Sequence, residues 1–287
     1  MPSMKAVKRR ITSVKNTKQI MKAMNLVAAS KVQKFKNRME AVSPMFTSAK
    51  DFIQNGINDD DVKGNIYFAS RPEEEVKRTA YVVIAGERGL CGSYNANVFK
   101  TALAHMQSKS GESIIAVGAR CKDHFVRRDK NVVANYAGVL ENVPFSVAEE
   151  VAQSLVDMYT SKDPDKRVDE VYIAYTHFET LLSQTPEIVK ILPFTVSAKT
   201  SERKEITYEP DLDTYLRKSV PQYLAMFIFG AMIESSVCEQ ASRMTSMDAA
   251  ARNADELVEK LTLQYNRQRQ SAITQEISEI VGGANAI

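Results

Sequence analysis

Residues 7–53 read VKRRITSVKNTKQIMKAMNLVAASKVQKFKNRMEAVSPMFTSAKDFI, and their spacing decides how the rest of the chain is organised. Apolar side chains recur four and three residues apart at Val7, Ile11, Val14, Met21, Ala28, Val32, Phe35, Met39, Val42, Phe46, Ala49 and Ile53, and only Lys18 and Asn25 break the series. A repeat of this kind places one apolar seam on a helix and winds it around a partner as a left-handed coiled coil. The partner is at hand in the same chain. Met244, Met247, Ala251, Ala254, Val258, Leu261, Tyr265 and Ala272 keep the same phase, with Gln268 as the polar intruder. Because the two helices flank everything between them, a pair made from them runs antiparallel. At 1.5 Å per residue the first is a rod of roughly 75 Å and the second about 95 Å, so the C-terminal tip should overhang.

Working outward, the middle of the chain changes period. Ala80–Ala85 is a β-branched run that reads as a buried strand, followed by a turn at Gly86–Gly92 and a helical pattern through Val98, Ala102 and Met106. Further strands are expected at Ser113–Gly118, Val132–Tyr136, Glu170–Thr176 and Ile188–Phe194, with helices at Ala119–Arg128 and Val147–Tyr159. Strands alternating with helices imply a mainly parallel sheet with helices on its faces; the final strand, close behind its predecessor, is expected as an antiparallel edge. The fold class is therefore α/β: a long antiparallel coiled coil of N- and C-terminal helices with an inserted Rossmann-like α/β domain. The boundaries read as an N-terminal helix at 1–55, a connector at 56–78, the α/β domain at 79–196, a second connector at 197–211 and the C-terminal helix at 212–287. Pro44 should kink or break the first helix near Ala41–Pro44. At the last helix, Ser219 is a plausible cap and Pro221 a first-turn residue.

Composition excludes several classes. A chain of 287 residues with 44% apolar side chains can bury a substantial core. No run of 18 uncharged apolar residues occurs and the N-terminus lacks a signal-peptide pattern, so a cytosolic or peripheral protein is expected. Cys91, Cys121 and Cys238 stand far apart in no zinc or redox spacing and are expected as free thiols, while His105, His124 and His177 are scattered. The net charge of +3 hides an asymmetry: residues 1–50 carry twelve Lys and Arg against Glu40 alone, a net of +11. A basic helix face can meet nucleic acid, an acidic protein surface or water alone; the near absence of Glu weakens the last, since solvated helix faces usually mix both signs.

Gly86, Gly89 and Gly92 do not have the G-x-G-x-x-G spacing and no G-K-[ST] follows, so the turn reads as a tight strand-to-helix connection with Cys91 packed inside. No defensible Ser/His/Asp order or carboxylate pair marks an active site. Neither a cofactor nor a metal site is expected.

Three stretches carry a resemblance. The tip Ala272-Ile-Thr-Gln-Glu-Ile-Ser-Glu-Ile-Val-Gly-Gly-Ala-Asn-Ala-Ile287 resembles the C-terminal signature of the gamma subunits of F-type ATP synthases. Ile11-Thr-Ser-Val-Lys-Asn-Thr-Lys-Gln-Ile-Met-Lys-Ala-Met-Asn-Leu-Val-Ala-Ala-Ser-Lys31 is similar to that family's N-terminal helix, and Gly86-Glu-Arg-Gly-Leu-Cys-Gly-Ser-Tyr-Asn95 to its first βα turn. The resemblance spans essentially the whole chain. It implies a non-catalytic central-stalk rotor, whose helices enter a ring of three alpha and three beta subunits while its α/β part sits with epsilon on the membrane c-ring. It also implies a peripheral location on the cytoplasmic face of a bacterial cell membrane, with no direct membrane insertion and no nucleic acid partner. By family position, Met24, Arg243, Arg269, Gln270, Thr274 and Glu276 are candidate coupling contacts with the alpha/beta ring, and an acidic segment of beta becomes the partner of the basic helix. The plastid members carry an inserted cysteine pair that this sequence lacks, so thiol regulation of that kind is not expected.

The tip makes physical sense under the same reading. Ile277, Ile280, Val281 and Ile287 with Glu279 as the stretch's only charge form an apolar end that suits an apolar sleeve. Two other readings stand beside it: a nucleotide-binding α/β enzyme with helical dimerisation extensions, and a basic nucleic-acid-binding arm next to a coiled coil.

Overall fold

The structure, a computed structural model, describes residues 4–55, 64–69, 76–109, 111–194 and 208–284, with the side chains of 48–55 and 282–284 outside that description. Among the described residues, five α-helices and five strands follow one another as α1 (Met4–Asn55), β1 (Thr79–Ile84), α2 (Tyr94–Met106), β2 (Glu112–Val117), α3 (Ala119–Val126), β3 (Val132–Tyr136), α4 (Phe145–Tyr159), β4 (Glu170–Phe178), β5 (Gln184–Leu192) and α5 (Leu212–Ala284), with a 3-10 turn at Val139–Glu141 before α4. Packing divides the chain into two compact units. One is built from Met1–Ala29 with Arg243–Ile287, the other from Ser30–Ser242, so both divisions fall inside the long helices.

The larger unit is a five-stranded sheet of order β3-β2-β1-β4-β5, parallel except for β5, which pairs antiparallel with β4 as the sequence suggests. β1, TAYVVI, is buried along its whole length because it lies between β2 and β4 with both faces covered. Strand periodicity sorts its side chains. Ala80, Val82 and Ile84 join α4 and α5 in one core layer, and Tyr81 and Val83 join α2 and α3 in the other. Phe35 of α1 is also buried in the first layer, where Val42 and Phe46 pack partly buried beside it.

Two expectations about prolines are corrected: helix α1 is not broken at Pro44, and α5, which begins at Leu212, is not capped by Ser219 and carries Pro221 inside the helix. The carbonyls these prolines leave unbonded belong to Glu40 and Arg217, both at exposed positions where water can solvate them, while Val42, Phe46, Val220 and Leu224 hold the flanking turns against the core. Asp211 supplies the cap: its Oδ1 accepts the Thr214 N–H at 2.8 Å, and its Oδ2 accepts the Thr214 hydroxyl. From Tyr223 to Ala241 no side chain of α5 is exposed. This stretch is apolar enough by composition to cross a membrane, and here it is the central helix of the core.

Candidate functional site

In the smaller unit, every seam position of 4–29 is buried or half-buried, from Val7 and Ala28 to Ile11, Val14 and Met21. The seam of α5 behaves alike, with Met247, Ala251, Ala254 and Leu261 buried. The polar intruders tie the two helices together. Lys18 pairs with Asp255, and Asn25 donates from Nδ2 to the Met244 carbonyl at 2.8 Å, so later residues of α1 meet earlier residues of α5 and the pair is antiparallel. Lys5, Lys8, Arg9, Arg10, Lys15 and Lys22 are all exposed, which gives α1 a solvated basic face. Among the described residues, acids that α5 offers in this unit are in part spent locally, as Asp248 is on Arg252 at 3.2 Å.

Beyond Leu261 the seam positions Tyr265, Gln268 and Ala272 are only half-buried, and there the seam ends. From Arg269 to Val281 every side chain except that of Ala272 is exposed. Arg269, Gln270, Thr274 and Glu276 lie on this stretch, where the Thr274 hydroxyl donates back to the Gln270 carbonyl at 2.9 Å. Ile277, Ile280 and Val281 are 55%, 70% and 53% exposed, an apolar surface that an isolated helix end would not keep in water without something to cover it. Ile287 lies outside the described residues. Met24 is half-buried, whereas Arg243 is buried and engaged within the chain rather than displayed on a helix surface. Since Asn25 adjoins Met244, their neighbours Met24 and Arg243 sit at one level of the helix pair.

The reading from the sequence overlooked Ile20, Leu26 and Val27, which are 61%, 71% and 58% exposed on α1. Their signal was present: all three are apolar and out of phase with the seam, hence pointed away from it.

In the larger unit, the chain leaves β1 for β2 and β3 on one side and returns to β4 on the other. The crevice beyond the ends of β1 and β4 is where open α/β sheets commonly hold ligands. Here the protein's own side chains fill it. Gly86 donates its N–H to Asn95 Oδ1 at 2.7 Å, and the N–H groups of Glu87 and Arg88 point to the Glu239 carboxylate of α5 at 3.4 and 3.3 Å. A Cβ at Gly86 would stand 2.9 Å from both Asn95 Oδ1 and the Glu239 carboxyl carbon, so a larger residue here would push these two side chains off the amides they hold. Glu87 in turn accepts the Ala119 N–H at the start of α3 and the Leu140 N–H, at 2.9 and 3.1 Å, a placement that the helix dipole favours.

Beside it, Tyr94 donates its hydroxyl to the Ser235 carbonyl at 3.0 Å, and the Ser236 hydroxyl reaches the Leu140 carbonyl at 3.3 Å. Burial, reinforced by the Glu239 charge, pushes the Tyr94 phenol far above its ordinary range. Cys91 packs inside the turn with Tyr94 and Cys238, as expected, and all three cysteines are free and buried. Burial also drives the Cys238 thiol up, so it is a poor nucleophile. The amide donors that a phosphate would need are thus held by carboxylates. Among the described residues, no group of three or more His, Cys, Asp or Glu is gathered to hold a metal.

Comparison with known proteins gives the same reading from end to end. A family described as ATP synthase matches residues 3–287. The ATP synthase gamma chain of Desulforamulus reducens is 41% identical over 294 residues, covering 100% of both chains. The sodium ion specific ATP synthase gamma chain of Acetobacterium woodii is 39% identical, covering 98% of this chain and 97% of that one. In fold, the chain is similar to the solved rotor of the Euglena gracilis mitochondrial ATP synthase, with a TM-score of 0.68 at 17% identity over 94% of this chain and 98% of that one. Matched over almost its full length by relatives well above 30% identity, the chain belongs to the ATP synthase gamma-chain family.

Proposed function

We propose that this chain is the central-stalk rotor of an F-type ATP synthase, carrying torque between a membrane c-ring and three catalytic beta subunits while performing no chemistry itself. One observation carries the reading furthest: α5 ends in an exposed stretch whose apolar side chains Ile273, Ile277, Ile280 and Val281 recur at helical spacing, after a seam that is buried or half-buried where α1 can cover it. Such a surface needs an apolar sleeve. The filled crevice at Gly86–Asn95 supports the non-catalytic part, because a nucleotide there would have to displace Glu239 and Glu87 from the backbone amides.

On this reading Arg269, Gln270, Thr274 and Glu276 contact the alpha/beta ring directly, Met24 does so from the half-buried side of α1, and Arg243 acts from inside the helix pair by holding that level in register. Ile277, Ile280, Val281 and Ile287 turn in the bearing. Ile20, Leu26 and Val27 add apolar contacts to the exposed basic face, which attracts an acidic segment of beta. The α/β part, 79–196 with its connectors at 56–78 and 197–211, would meet epsilon and the c-ring. The assembly would sit peripherally on the cytoplasmic face of a bacterial membrane. Work is transmitted because the faces of the helix pair differ, so each beta subunit in turn meets contacts that favour a different one of its conformations.

Reconstitution tests this. Alpha and beta subunits assembled with this chain should hydrolyse ATP cooperatively and drive rotation; equal cooperative turnover without it would overturn the proposal. Nucleotide binding by the isolated chain would favour the enzyme reading, and salt-sensitive capture of DNA or RNA the basic-arm reading.

A further inference from the structure

A second feature of the larger unit is a cavity of about 150 Å³ between α1, β4 and α5. Met39, Val42, Phe46 and Ile233 make its apolar walls, and Tyr175, Glu40 and Glu234 its polar ones. The volume is that of a space known to accept a benzene ring. Gly230 keeps the wall tight, since a Cβ there would meet the Phe46 ring at 2.9 Å. The aromatic side is braced: Phe46 and Tyr175 each contact the Phe227 ring, at centroid distances of 5.0 and 6.5 Å.

The charge around this cavity is one-sided. Glu234 on α5 and Glu40 on α1 are the carboxylates of its lining, and Glu187 on β5 stands behind Tyr175, whose hydroxyl donates to it. Set against them are the His177 ring, hydrogen-bonded to Glu234 at 3.2 Å, and Lys36, 3.9 Å from Glu40 on the outer surface. Glu187 pairs with Tyr175 across the β4–β5 ladder. Burial raises the Glu234 carboxyl above its ordinary range, the hydrogen bond from His177 lowers it, and the Glu187 charge adds to the rise. Two carboxylates that repel each other beside aromatic faces are matched by a cation with an apolar body, which offsets the repulsion and stacks its charge on the rings.

We propose that this cavity binds a small organic cation, an aryl- or alkylammonium of about benzylamine size, with the ammonium toward Glu234 and the apolar body between Phe46, Val42 and Ile233. The site is separate from the residues assigned above to rotation.

Saturation-transfer NMR and calorimetry on the full chain test it, with benzylammonium, benzyl alcohol and benzoate as the probes. Benzylammonium should bind about tenfold more tightly than benzyl alcohol, benzoate should not bind, and Glu234→Gln should remove most of that preference. Ser43→Phe, at an exposed position on the cavity wall, should block all three probes while leaving the fold intact, and Glu40→Gln serves as the charge variant should Glu234→Gln fail to fold. Equal affinity for the charged and neutral probes would overturn the assignment, as would binding that survives Ser43→Phe. Binding to the free chain that disappears in the assembled complex would also overturn it, in favour of a partner's side chain as the natural occupant.

Discussion

Between Tyr223 and Ala241 helix α5 has no exposed side chain, and between Arg269 and Val281 it has almost no other kind. Both stretches contain isoleucines in helical conformation, but the second is the more polar and carries Arg269, Glu276 and Glu279. The first carries only Glu234 and Glu239, and each has a structural partner, His177 for one and the amides of Glu87 and Arg88 for the other. Around them Leu224, Ile228, Ile233 and Val237 are wholly buried, each contributing about 1.5–3 kcal/mol by leaving water. In the second stretch the isoleucines face outward and contribute nothing of the sort to the chain alone. An isoleucine in a helix therefore does not by itself tell a core helix from a docking helix. What separates them is the number of neighbours that arrive from the rest of the sequence.

The sharpest way to break this comparison is a pair of truncations. Ile228→Ala should cost about 2–5 kcal/mol in urea-induced unfolding, because it leaves a cavity in a packed layer. Ile280→Ala should stay within about 0.5 kcal/mol, because no packing is lost. Equal losses at the two positions would mean that the tip is packed on this chain after all.

Next in size is the polar junction around Glu239. Glu239→Ala strands the N–H groups of Glu87 and Arg88 in a part-buried setting, and a loss of about 1–3 kcal/mol is expected. Glu239→Gln retains an acceptor oxygen and should recover part of it. If alanine and glutamine variants unfold at the same urea concentration as the unmodified chain, the carboxylate is a spectator and the crevice is closed by apolar packing alone.

A third test separates buried from exposed charge. Glu170, at the start of β4, is bound by Lys190 at 2.6 Å and Lys109 at 3.0 Å. Burial opposes its ionisation, yet the hydrogen bonds from both lysines outweigh that effect and hold the carboxyl below its usual range. A folded-state pKa below the unfolded one gives stability that is fully present above the unfolded value and is lost as pH falls through the folded one. Stability should accordingly drop as pH falls below about 4, and Glu170→Gln should flatten that limb at some cost at neutral pH. Asp248, whose partner Arg252 is 73% exposed, is the control for ion-pair strength: Asp248→Asn should change stability at neutral pH by less than about 1 kcal/mol. Parallel acid limbs in the Glu170→Gln and unmodified chains would remove Glu170 from the account.

Much of this architecture was legible because local spacing encodes it. The four-three repeat located both seams, and its two breaks in α1, Lys18 and Asn25, proved to be cross-helix ties rather than errors in the pattern. Strand runs such as Ala80–Ala85 and the antiparallel edge strand were visible for the same reason. The cap of α5 was not, since a proline at 221 resembles a first-turn residue and points to Ser219, whereas Leu216 and Val220 are already packed in a helix that begins at Leu212. The burial of Arg243 and the role of Glu239 were equally hidden. Each depends on segments far away in sequence, although Glu239 left a trace as one of two charges in residues 219–242. Which of Met24, Arg269, Gln270, Thr274 and Glu276 touch a partner is a property of surfaces this chain does not contain.

The smallest expected effect is the most discriminating for the tip. Deleting 277–287 removes Ile277, Ile280 and Val281, three large apolar side chains that are more than half exposed. Had they been buried, their loss would cost several kcal/mol; exposed, they leave the urea midpoint of the chain where it was. The helix end itself contributes little, because fraying turns without tertiary contacts are close to balanced in free energy. An unchanged midpoint, together with weaker retention of the shortened chain by the alpha/beta ring, would mean that these residues serve a partner and not the fold. A lowered midpoint would place them in the core and erase the difference between the two stretches of α5.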